Sequence, residues 1–282
     1  MLASRLTSAL AATLFTVCCQ TSAAFELALT AGAGVDSVAT SEHSDVTTQT
    51  LGANGIPTNT TVRTEISSES GQLATRQLAA TWTGEGYFVG GSIYNADGNV
   101  SYQGLDPVKG PIPNGSSYLY VWRTNTYLGK TFADLPLQPR LWIELGGQLK
   151  ERHITTRVPE VANHHEDFTW WTAGSGLELE IWGDNTWQWS LGGAYRSILA
   201  PTNKSSRRTI SLDLGDSFNY SAYTQLKYQL GAGFYIETSA GFTATQMAAG
   251  RKFYEGNKIT PIIQPEAAWR DMDLTVKLGK QF

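Results

Sequence analysis

The chain has 282 residues, only 16% of them charged, a formal net charge of −4, and 28 glycines, 12 tyrosines and 9 tryptophans. So sparse a charge with no basic excess argues against a nucleic-acid partner, and beyond the first segment no apolar run of about 18 residues exists to make a membrane-crossing helix. Both cysteines, Cys18 and Cys19, lie in that first segment, so the rest of the chain holds no disulfide framework.

Residues 1–24 combine one early charge at Arg5, an apolar run from Ala9 to Cys19, and small residues at Ser22 and Ala24. That order is expected of a secretory signal peptide cleaved after Ala24. Val17 ahead of Cys18 does not suit lipoprotein processing. Residues 25–282 are expected to form one domain.

From Phe25 onward the main signal is a period of two. Phe25, Leu27, Leu29, Ala31 and Val35 alternate with Glu26 and Thr30. Leu141, Ile143, Leu145 and Leu149 oppose Trp142, Glu144, Gln148 and Lys150; Leu177, Leu179 and Ile181 oppose Glu178, Glu180 and Trp182. The same rhythm continues through 187–196, 223–230 and 234–242, and again over Met272, Leu274, Val276, Leu278 and Phe282. Each segment therefore reads as a strand with one apolar and one polar face.

Short Gly-, Asn-, Asp- or Pro-containing turns are expected at 84–86, 133–139, 183–186 and 231–233. Long polar loops are expected at 39–71, 97–116, 154–168, 199–208 and 249–266. Four short turns and five long loops connect about ten strands, between about eight and twelve, with both ends of the domain on the short-turn side. A soluble sandwich also alternates its faces. Trp82, Trp122, Trp170, Trp171, Trp187 and Trp189 near strand ends instead suggest the aromatic girdles of a lipid interface.

The signal peptide, the alternating strands, the unequal loops and the terminal stretch LTVKLGKQF resemble the outer-membrane β-barrels of Gram-negative bacteria. The resemblance implies an all-β fold, an antiparallel transmembrane up-and-down β-barrel closing on itself between the first and last strands. It implies an outer-membrane location, outer-membrane lipid and lipopolysaccharide as surroundings, and the barrel-assembly machinery as a partner recognising Leu274, Val276, Leu278 and Phe282. Lys280 departs from the apolar pattern and is expected to snorkel.

The polar faces place Glu26, Arg123, Glu144, Lys150, Glu178, Glu180, Arg196, Lys227, Glu237, Asp271, Asp273 and Lys277 toward the lumen. In a barrel this narrow they are expected to pair across it. A second cluster lies at the ends of one hairpin: His153 with Glu151 on one strand, and His164, His165, Glu166 and Asp167 on the next. Imidazoles beside carboxylates can bind metal or move protons. Their spacing matches no strong zinc pattern, and the rings are expected to point apart, with no metal and no cofactor bound.

The strand number resembles the omptin proteases, which carry two close aspartates on one loop and an Asp-x-His pair on another. Asp97 has no second aspartate close to it in its loop and no Asp-x-His occurs, so that site does not carry over. The expected role is a non-enzymatic surface protein with a plugged lumen. A narrow solute channel and a surface hydrolase are the alternatives. Leu179 and Ile236 are expected near the bilayer midplane.

Overall fold

The computed structural model describes residues 26–51, 57–106, 110–156, 163–206, 211–250 and 265–282. The leader read from residues 1–24, and most of the loop read at 249–266, lie outside the described residues.

The strands are β1 Glu26–Leu51, β2 Pro57–Gly84, β3 Tyr87–Asp106, β4 Gly110–Thr131, β5 Arg140–Thr155, β6 His164–Gly183, β7 Trp187–Ser205, β8 Ser211–Asp213, β9 Ser217–Gly231, β10 Phe234–Met247 and β11 Glu266–Gln281. Each wall strand pairs antiparallel with its neighbours, and β1 pairs with β11 from Ala28↔Gln281 to His43↔Glu266, which closes the ring. Among the described residues, ten strands form the wall. The short β8 is a spur on β7, joined through Thr202↔Asp213 to Lys204↔Ser211. Over the span where β1 and β11 pair, closure leaves no free edge among the described residues, the condition a sheet must meet to stand in lipid.

The turn end is tight for local reasons. Glu85 and Gly86 both take positive φ, 52° and 78°, as the two central residues of a hairpin with the twist of the flanking strands. Ala232 and Gly233 repeat that geometry. Between β6 and β7 the Asp184 carboxylate accepts from the backbone N–H of Thr186 and Trp187, at 2.7 and 2.8 Å. Those two donors hold its carboxyl below the ordinary aspartate range.

The loop end differs from the sequence expectation. Most of 39–71 is strand, since β1 runs to Leu51 and β2 begins at Pro57; most of 97–116 is strand as well. The pairing continues after the apolar alternation stops, because a wall wetted on its outer face needs no greasy residues there. His164 and His165 likewise belong to β6 and not to a loop.

On the turn-end half, outward residues are apolar and bare: Leu78, Leu128, Ile143, Leu145, Leu274 and Leu278 are each more than half exposed. Tyr87, Trp182, Trp187 and Trp189 border this band below, and Trp122 and Trp171 above. Trp170 does not join them. It is 3% exposed and faces inward, because adjacent residues of a strand point to opposite sides. Ile236 faces Leu278, next to the Lys280 edge, so it sits toward the turn end of the band and not at its middle. Leu179, a few residues from Trp182, does the same.

Inside, aromatic rings occupy the space over cross-strand glycines. A Cβ at Gly176 would collide with the Trp142 ring, and one at Gly279 with Tyr235.

Candidate functional site

The lumen is filled in layers. Nearest the loop end, two apolar clusters face each other: Phe168, Trp170, Ile198, Leu214, Met247, Ala267 and Trp269 on one wall, and Val38, Leu73, Ala96, Val100, Leu119 and Val121 on the other. Arg152 of β5 reaches between them. Its guanidinium bonds Glu42 of β1 at 2.6 Å and Glu166 of β6 at 2.7 Å, with Glu69 of β2 at 3.7 Å, and it lies 5.2 Å from the Phe168 ring centre. Lys150, one inward position below, places its ammonium over the Trp269 ring. The three carboxylates and two cations are all buried. Such a cluster persists only when charges pair and spare lone pairs find donors, as Ser67 does for Glu42 at 2.7 Å.

The next layer is centred on Arg123, which bonds Asp271 across the lumen at 2.6 Å and lies over the Tyr94 ring. The Tyr94 hydroxyl donates to Asp36 at 2.7 Å. Below this a polar cavity of about 310 Å³ opens among residues that include Gln77, Gln148, Arg196, Asn219, Tyr223 and Asp273. Arg196 pairs with Glu144, which Asn125 also reaches at 2.6 Å. Toward the turn end Arg140 and Tyr223 share Glu178, at 2.9 and 2.7 Å, Lys277 bonds Glu237 at 2.7 Å, and Lys227 lies over the Tyr235 ring.

The sequence-read lumen residues are thus inward and distributed among separate layers. Glu180 is inward near the turn end, whereas Glu26 is exposed at the turn rim. Sequence reasoning missed Arg152, Glu42, Glu69 and Asp36 as lumen groups; Glu42 and Glu69 fell in a stretch read as loop. It also paired Glu166 with the histidines, but Glu166 turns inward to Arg152.

The histidines divide by the same parity. His164 faces inward, its Nε2 3.7 Å from Glu166. His153 and His165 are direct cross-strand partners on the outward face, as are Glu151 and Asp167. The expectation that the rings point apart fails for this pair. Their Nδ1 atoms are 3.1 Å apart and their ring centres 4.0 Å, near perpendicular. On its other side the His165 ring contacts the Asp167 carboxylate through Nε2. Glu151 completes a group whose donor atoms all lie within 4.8 Å of one another. The omptin-type reading gains no residue: Asp97 sits in β3, bound to Arg76 at 2.8 Å and Tyr118 at 3.1 Å.

No protein-family model matches the sequence, and no curated protein matches it. Solved structures do. The outer-membrane protease OmpT from Escherichia coli aligns with a TM-score of 0.56 at 14% identity, covering 92% of this chain and 98% of that one. The translocator domain of the autotransporter NalP from Neisseria meningitidis aligns at 0.46 and 10% identity, over 99% and 96% of the two chains. The fold is that of an outer-membrane β-barrel. At these identities the likeness concerns the barrel alone, and the protease's chemistry does not come with it.

Proposed function

We propose that this protein stands in the outer membrane of a Gram-negative envelope as a sealed, non-conducting barrel, and that its role is an envelope or surface interaction made by the loop end. Lipid and lipopolysaccharide are the surroundings of its outward apolar band. One observation carries the reading: the loop-end half of the lumen is packed by two apolar clusters with Arg152 held among three carboxylates between them. Ions crossing there would have to break a buried charge network and displace well-packed side chains.

The test is electrical. Protein inserted in planar bilayers is expected to give no steady conductance. A stable, salt-dependent open level would overturn the sealed reading in favour of a narrow solute channel, the alternative that the polar cavity below Arg123 supports. The membrane location is checked separately, by heat-modifiable migration on a semi-native gel and by a requirement for detergent.

A further inference from the structure

We propose that the outward rim of β5 and β6 is a binding site for a divalent transition metal of the zinc class. Its ligands are Nδ1 of His153, Nδ1 of His165 and the carboxylate of Glu151, and Asp167 holds the His165 ring in place.

Register builds the site. Cross-strand pairing sets His153 opposite His165 and Glu151 opposite Asp167, so four donor side chains occupy one outward patch on a paired, rigid piece of wall. Burial is partial: Glu151 and His165 are half-buried and His153 is open to solvent, which leaves an entry path. Tyr118 flanks His153, its ring centre 6.5 Å away.

Protonation chemistry then decides what the two rings can share. A carboxylate only accepts, so the Asp167 contact fixes the proton of a neutral His165 on Nε2 and leaves Nδ1 as a bare lone pair. That lone pair faces Nδ1 of His153 at 3.1 Å. Either one proton sits between the rings or one cation does. Metal–nitrogen bonds of about 2.0–2.1 Å in tetrahedral geometry place two ligand nitrogens about 3.3 Å apart. The rings are already within a few tenths of an ångström of that spacing, and a Glu151 carboxylate oxygen lies within 4.8 Å of the imidazole ligand atoms, near enough to close on an ion held between them.

The donor set selects the metal. Two imidazoles and one carboxylate suit zinc and its neighbours, whereas calcium and magnesium prefer oxygen throughout. Three protein ligands leave the fourth position to water. The carboxylate–histidine contact made by Asp167 is the outer support that metal-bound imidazoles commonly have, setting both tautomer and ring orientation.

The adjacent His164 supplies an internal control, because strand parity sends it into the lumen toward Glu166. The experiment uses tag-free protein purified in detergent, stripped with a chelator, and titrated calorimetrically with Zn²⁺ and separately with Mg²⁺. Wild type is expected to show one saturable Zn²⁺ site and none for Mg²⁺. His153→Ala and His165→Ala should each abolish it, and Asp167→Asn should weaken it about 10–100-fold. His164→Ala should leave it unchanged. Heat-modifiable migration establishes that each variant is folded. Absence of saturable Zn²⁺ binding by folded wild type, or binding that survives either outward histidine substitution, overturns the proposal.

Discussion

The two halves of this barrel are built in opposite senses. In the turn-end half the outside is apolar and the inside carries charge, with Leu274 and Leu278 bare on the wall while Lys277 pairs with Glu237 within. In the loop-end half the inside holds a packed apolar core, with Phe168, Leu73 and Leu119 fully enclosed around the buried Arg152 charge cluster, and the outside carries His153, Glu151 and Asp167. Single strands record the exchange. In β1 the outward Val35 is 45% exposed and the inward Val38 only 5%; in β6 the outward Leu177 is 41% exposed and the inward Phe168 is closed off. The lower half is organised for lipid, the upper half like a water-soluble β domain with a core.

The strongest way to break that comparison is to attack the upper core at its charge. Arg152→Ala leaves Glu42, Glu69 and Glu166 buried without their shared cation and should cost about 3–5 kcal/mol of stability. Denaturant unfolding of the folded barrel measures it. A loss near zero would mean that water reaches these carboxylates and that the upper half has no sealed core.

A smaller effect sharpens the difference between the two outer faces. Leu274→Arg, midway along the outward band of β11 between Arg270 and Lys280, should cost about 2–4 kcal/mol, whereas Ser70→Arg on the exposed upper face of β2 should cost almost nothing. Equal costs would show that lipid does not distinguish the halves.

The smallest effect concerns the turn end. The Asp184 carboxyl is held below its ordinary value by two backbone donors, so its stabilising contribution is present above the unfolded carboxyl range and fades as pH falls through the lowered folded value. Asp184→Asn should therefore reduce the unfolding midpoint slightly at neutral pH, and the gap to wild type should close in acid. A gap that persists unchanged at low pH would assign the effect to the turn's shape instead of its charge.

This inversion also explains what the sequence disclosed and what it hid. Strands that cross lipid announce themselves through an outward apolar row, so β5, the lower halves of β6 and β7, β9 to β11 and the closure of β1 on β11 are legible. The upper wall is not, because its apolar row points inward and is mixed with Ser, Thr and Glu; Glu42 and Glu69 are lost in a presumed loop for that reason. Trp170 reads as a girdle residue by its aromatic identity, but its parity beside Trp171 turns it inward. The pairing of His153 with His165 depends on register, and a strand slipped by one residue would have turned these side chains to the lumen.

The exchange of faces has a consequence for how the tube is made. Laid open, the sheet would present a greasy stripe low on one side and another high on the reverse. A bilayer can cover the first but not the second, and water can cover neither. Only curling hides the upper stripe, and Arg152 of β5 reaches Glu42 of β1 only once four strands have bent round to face it. Insertion and rolling-up are therefore expected to be coupled in this chain, since a half-curled wall is left with no medium that suits it.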